Sequence, residues 1–392
     1  MTNLRGWGRL AFDATLGLTA VVEGMHHNIL RAPGILGSPA KGPTRGITGL
    51  VYSSIRGVTQ LLSAGVDVAL TQITPADRHI TPSREREAVL AALNGVVGDY
   101  LLASDNPLAI PMRLRRDGRP LALQREKLTA AIPQAGPKLL VLVHGLCRND
   151  LRWCRLGHDH GAALARDLGY TPVYLHYNSG LHVSINGRGF ADVMEALIRE
   201  WPVPVGELTI LAHSMGGLVA RSACHYAALG GRSWLAHLSA LVFLGTPHHG
   251  APLERGGNWV DVILGISPYT APLAALGQIR SAGITDLRHG NLLDEDWEAR
   301  DRFDRNGARP RALPLPEGVN CYAIAATKAK KFADQILGDG LVPLNSALGR
   351  HADPGRALAF ADSRTWIGRG MNHDDLLSHP DVYERIRNWL AR

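Results

Sequence analysis

The stretch LTILAHSMGGLVAR, running from Leu208 to Arg221, decides how this chain folds. Leu208 to Ala212 is an apolar run short enough for a strand buried on both faces. From Gly217 to Leu229 the apolar residues recur at helical spacing. Between the two stands small-x-Ser-x-Gly, so the chain has to pass from strand to helix in a turn centred on Ser214. A turn that sharp holds the serine in a strained backbone conformation, and only small residues at Ala212, Gly216 and Gly217 let neighbouring backbone approach. Alanine replaces the first glycine of G-x-S-x-G, a change of one methyl group. The pattern predicts a nucleophile elbow; the bland alternative is a serine that merely caps a helix.

Working outward from this stretch, short apolar runs alternate with amphipathic ones from Lys138 to the end of the chain. That alternation predicts an α/β fold with a mostly parallel central sheet flanked by helices. Strands are expected at Leu139 to Val143, Pro172 to Tyr177, Leu208 to Ala212, Leu241 to Leu244, Cys321 to Ala325 and Ala357 to Ala361. Helices are expected at Phe190 to Trp201, Gly217 to Leu229 and Val382 to Ala391. The alternation lapses between Gly250 and Asn320. Residues 251–318 therefore read as an insertion, whose apolar residues (Leu253, Trp259, Ile263 and Leu264 among them) form either a helical lid over an acyl pocket or core beneath a long loop.

Residues 1–135 read as a mainly helical N-terminal extension to the catalytic domain at 136–392. Helical stretches are expected at 8–31, 45–73 and 84–103, the last preceded by Thr81, Pro82 and Ser83 in the order of a helix start. Asp117-Gly118 between short alternating runs at 110–123 predicts a hairpin. Arg56 and Asp67 divide the apolar stretch Ile47 to Ile73, which argues against a membrane span. Asp13 interrupts the first apolar stretch, and no small-residue cleavage site follows, which argues against a signal peptide. A cytoplasmic setting is expected, with peripheral membrane contact through the N-terminal region left open.

The 392 residues are 45% hydrophobic and 20% charged, as in an ordinary globular protein. The net charge of +7 favours anionic surfaces. No basic stripe with interleaved aromatics and no zinc-finger spacing accompanies it, so nucleic acid is not an expected partner. The four cysteines are too few and too scattered for a disulfide framework and contain no C-x-x-C pair. They read as free thiols, with a local Cys147–Cys154 bridge only if the protein is exported.

A serine hydroxyl needs an adjacent base, and the oxyanion formed on an acyl substrate needs fixed donors. One donor is expected to be the N–H of Met215, the residue after Ser214. The strand ending in His144-Gly145 predicts Leu146 as the second, or Cys147 if the loop is shifted by one. The acid should follow the nucleophile and precede the histidine. Asp339 in Gly338-Asp-Gly-Leu-Val-Pro343 fits, with Asp334 and then Asp362 as rivals. His373, after the last expected strand and before the final helix, fits the base among 17 histidines. His379 beside Pro380 reads as a helix cap. His144, His213 and His248 are expected near the substrate.

Residues from about 138 to 392 resemble bacterial lipases and the related GPI inositol-deacylase-like esterases of the α/β-hydrolase superfamily. The resemblance rests on His144-Gly145-Leu146, Ala212-His-Ser-Met-Gly-Gly217, Leu244-Gly-Thr-Pro-His248, and Gly338-Asp-Gly-Leu-Val-Pro343 with Asn372-His373 beyond. It implies a serine hydrolase of carboxylic esters working through Ser214, His373 and Asp339, a mobile lid after Pro247, and a small-molecule or lipid ester as substrate. Acyl transfer or amide hydrolysis by the same residues, or a non-catalytic membrane-associated module, are the competing functions. Some such lipases hold a calcium ion near the histidine, where Asp375 would be one ligand; no partner for Asp375 is evident, and neither metal nor cofactor is expected.

Overall fold

The computed structural model describes residues 84–251, 281–298, 312–329 and 338–391. The chain divides into two compact units, residues 1–81 with 101–109 and residues 82–100 with 110–392. The expected helices at 8–31 and 45–73 lie outside the described residues, as does the greater part of the expected lid, at 252–280 and 299–311. Of the first unit, residues 101–109 are described. They hold the end of helix α1 (Arg84–Ala103) and a turn in which Asn106 Oδ1 accepts from the N–H of Leu108 at 3.0 Å.

The second unit is built on a sheet of eight strands: β1 (Arg113–Arg116), β2 (Arg119–Pro120), β3 (Lys138–Val143), β4 (Thr171–His176), β5 (Glu207–His213), β6 (Leu238–Leu244), β7 (Asn320–Thr327) and β8 (Thr365–Arg369). Their order is β2-β1-β4-β3-β5-β6-β7-β8. Strands β3 to β8 are parallel, and β1 and β2 are antiparallel to their neighbours. Helices follow the strands as α2 (Arg125–Ala131), α3 (His160–Leu168), α4 (Val183–Glu200), α5 (Met215–Leu229), α6 (Ala282–His289), α7 (Leu344–Ala347) and α8 (Pro380–Leu390). This is the α/β architecture, a mostly parallel sheet flanked by helices, that the alternation of runs predicts.

The apolar runs owe their continuity to burial on both faces. Along β7, Tyr322, Ile324 and Ala326 point to the layer that contains Val382, Ile386 and Trp389 of α8, while Ala323 and Ala325 face Val342, Leu344 and Leu348. On β3, Leu139 to Val143 are all fully buried. Helix ends are fixed locally. Asp159 accepts from the N–H of Ala162 to start α3, Gly169 in the left-handed region ends it, and the buried carboxylate of Asp286 accepts from the N–H of Val183 at the start of α4.

Two features depart from the reading of the sequence. The hairpin does form, with Asp117 and Gly118 both at positive φ, but β1 then joins the central sheet by pairing with β4, Leu114 opposite Leu175. The run Ala357 to Ala361 is not a strand. In it only Leu358 and Phe360 are half-buried, a one-sided alternation that lays Phe360 against Phe243 and His248. The last strand is β8, an edge strand with one neighbour, whose mixed composition in Thr-Trp-Ile-Gly-Arg hid it from a search for continuous apolar runs.

Candidate active site

Ser214 stands between β5 and α5 with φ 56° and ψ −128°, a conformation costly for any residue with a β-carbon. Its N–H donates to Leu244 O at 2.8 Å, which ties the turn to the end of the neighbouring strand β6. The glycines around it are set by close approach. A β-carbon on Gly216 would lie 2.5 Å from His144 O and 2.6 Å from Val143 O, and one on Gly145 would lie 2.9 Å from the Ser214 β-carbon. The end of β3 and the serine turn are thus in contact.

Asp339 follows β7 in a turn between two glycines at positive φ, Gly338 and Gly340. Its side chain is buried and fully used. Oδ1 accepts from the N–H groups of Leu341 and Val342, at 2.9 and 2.8 Å, and Oδ2 lies 2.6 Å from His373 Nδ1. A carboxylate only accepts, so His373 Nδ1 carries the proton and Nε2 is left with its lone pair. His373 opens a short 3-10 helix capped by Asn372, whose Oδ1 accepts from the N–H groups of Asp374 and Asp375 while Asp375 Oδ2 accepts from Asn372 N–H.

Ser214 and His373 line one cavity, together with Gly145, Leu146, Arg148, His213, Ala251, Leu287, Leu341 and Val342. Met215 is fully buried at the start of α5. Leu146 is part of the cavity wall. Cys147, in the left-handed region at φ 56°, has its N–H engaged by Ser179 Oγ at 3.0 Å.

Of the three histidines expected near the substrate, the cavity takes in only His213. Its Nε2–H donates to His373 O at 3.2 Å, and the two rings lie 4.6 Å apart. Burial holds its pKa well below the ordinary histidine value, and the neighbouring His373 pushes it the same way. A neutral His213 adds no repulsion when His373 gains a proton. His144 instead stacks on Tyr177 with ring centres 4.3 Å apart, and burial lowers its pKa to about 3. His248 packs edge-on to Phe243 and faces Arg221. Neither lines the cavity, because the ends of β3 and β6 turn these side chains into packed layers. Asp334 lies outside the described residues; Asp362 is exposed in a 3-10 turn before β8, and His379 caps α8.

Other residues at the site escaped the sequence reading. Arg148 enters the cavity wall, and its Nη2 donates to Asp374 Oδ1 and Oδ2 at 3.0 and 3.3 Å. Arg152 Nη2 donates to the same Oδ2 at 2.9 Å, and Arg155 lies 3.5 Å from Asp375. The guanidinium groups of Arg148 and Arg152 outweigh burial and hold the Asp374 pKa at about 2, while Asp375 is committed to Arg155 and Asn372. These pairings join residues 226, 222 and 220 apart, and no local pattern in the sequence signals them. Leu287, from the described part of the insertion, also lines the cavity. Among the described residues no cluster of His, Cys, Asp and Glu could hold a metal ion, no helix is long and apolar enough to cross a membrane, and all four cysteines are free.

Residues 194–315 match the family described as PGAP1-like alpha/beta domain. The PGAP1-like stretch contains the Ser214 turn and ends before Asp339 and His373. No curated protein sequence matches the chain significantly. Among solved structures, the mature form of the Bacillus licheniformis lipase BlEst2 is 17% identical with a TM-score of 0.41, over 65% of this chain and 92% of that one. An esterase of Pyrococcus furiosus, Pf2001, is 12% identical with a TM-score of 0.39, over 66% and 82%. EstA of Clostridium botulinum is 12% identical with a TM-score of 0.37, over 65% and 87%.

Proposed function

We propose that the protein hydrolyses carboxylic esters by a serine mechanism, with Ser214 as nucleophile, His373 as general base and Asp339 as the group that orients and stabilises the imidazolium. One observation carries the reading: a strained serine between strand and helix shares a cavity with a histidine whose Nδ1 is 2.6 Å from a buried, fully bonded aspartate. Ser214 attacks the ester carbonyl while His373 Nε2 takes its proton; His373 then protonates the departing alcohol, and water repeats the steps in reverse to free the acid. The N–H groups of Met215 and Leu146 receive the oxyanion. Leu146 is favoured over Cys147, whose N–H is already given to Ser179.

The leucines and valine of the cavity wall suit an apolar acyl chain, which supports a small-molecule or lipid ester as substrate. Replacing Ser214 by Ala tests the reading. The variant should keep the native melting temperature, lose reaction with a fluorophosphonate probe, and hydrolyse 4-nitrophenyl butyrate slower by about 10⁴-fold or more. Undiminished turnover in that variant refutes the assignment.

A further inference from the structure

The cavity beside Ser214 is mostly apolar, through Leu146, Ala251, Leu287, Leu341 and Val342, yet its wall also holds one permanent cation, Arg148. The position is conspicuous for its charge balance. Asp374 is shared between Arg148 and Arg152, and Arg155 is matched to Asp375, so three guanidinium groups meet two carboxylates and one positive charge is left over. Burial holds the neighbouring His213 neutral, so it adds nothing to that excess, and His373 Nδ1–H donates to Asp339 Oδ2.

The bonding of Arg148 is incomplete in the same sense. Both of its hydrogen bonds leave from Nη2, and among the described residues Nε and Nη1 have no partner, although the side chain is only 11% exposed. A cation withdrawn from water with donors to spare is stabilised by an anion placed against it, and a planar guanidinium suits carboxylate or phosphate oxygens. The Arg148 loop directly follows Gly145 and Leu146, so such an anion would lie within a few bonds of the ester carbonyl at Ser214.

We propose that the preferred substrates are esters that carry an anionic group, a carboxylate or a phosphate, received by Arg148 at the cavity wall. The inference rests on the serine-hydrolase reading and specifies its substrate class. Arg148 acts as a specificity residue, with its tie to Asp374 holding the guanidinium in place.

Two pairs of short-chain esters test it on the full chain. The first is mono-4-nitrophenyl glutarate against 4-nitrophenyl butyrate, with the anion on the acyl side. The second is dibutyrylglycerol phosphate against dibutyrylglycerol, with the anion on the alcohol side. In at least one pair the anionic ester should show a kcat/KM higher by about tenfold, the worth of one charge-assisted hydrogen bond. The pair that shows it identifies carboxylate or phosphate as the natural group. Arg148→Gln should bring that ratio close to one, and Arg148→Lys should retain part of it. Asp374→Asn, which loosens the tie but keeps the cation, should preserve the ratio even where all rates fall. Equal rates within both pairs, or a ratio unchanged in Arg148→Gln, overturn the inference and leave ester hydrolysis standing. Failure of the native protein to hydrolyse any of the four removes the serine-hydrolase reading and this inference with it.

Discussion

Asp339 Oδ2 lies 2.6 Å from His373 Nδ1 across 34 residues of chain, while the other carboxylate oxygen is pinned by two backbone N–H groups. The pinning gives the pair a fixed polarity. In Asp339→Asn the two donors would claim the amide oxygen and aim the NH₂ at His373 Nδ1, forcing that nitrogen to accept. The imidazole proton then moves to Nε2, where a base is needed. The expected result is a loss in kcat of about 10³- to 10⁴-fold with KM little changed. Steady-state kinetics on 4-nitrophenyl butyrate, with melting temperature as control, measures it; a loss below tenfold would detach Asp339 from the mechanism.

Gly245 supports the same ring from the other side. It sits at φ 59°, and a β-carbon there would lie 3.1 Å from both Cε1 and Nδ1 of His373 and 2.8 Å from Leu376 Cδ1. Gly245→Ala should therefore strain the backbone and displace the imidazole together. A stability loss of about 1–3 kcal/mol is expected in urea unfolding, and kcat should fall by about 100-fold, as for a reacting group misplaced by an ångström. Native activity in this variant would show that the ring has room to spare.

Four fully buried or nearly buried histidines set the response to acid. Burial lowers His144 to about 3 and His160 to about 4, and holds His213 and His248 well below the ordinary value. In the unfolded chain all four titrate near pH 6.5, so below that pH the unfolded state binds protons that the folded state refuses. The stability they confer is complete above about pH 6.5 and lost as pH falls, each group contributing up to about 1.4 kcal/mol per pH unit. The lowered carboxylate of Asp374 acts only further down, between its ordinary value and about 2. Thermal melts from pH 7.5 to 4.5 should show a steep fall below pH 6.5; a flat profile would contradict the burial of these side chains in solution.

Local patterns were legible in the sequence, and pairings between distant segments were not. The Ser214 turn could be read because strand, small residues and helix follow one another within a few positions. Asp339 and His373 could be placed by chain order relative to expected strands. The Arg148–Asp374 tie joins residues 226 apart, and no periodicity announces such a partner. The same reason hid the pairing of β1 with β4, since Asp117-Gly118 reports a hairpin but not the strand it will meet. Strand β8 was missed because an edge position does not demand the unbroken apolar run that a central strand does.

The place of the hairpin bears on how the protein can be cut. Helix α1 also packs against the loop after β3, for a β-carbon on Gly95 would lie 2.2 Å from Cys147 Sγ, so residues well before 136 are built into the second unit. A fragment trimmed to start at residue 136 would strip β1 from the flank of β4 and leave unanswered amide and carbonyl groups along Tyr174 to His176. Such a row is a template for strands from other molecules, and the shortened protein would be sticky in solution even with every residue proposed for the chemistry still present.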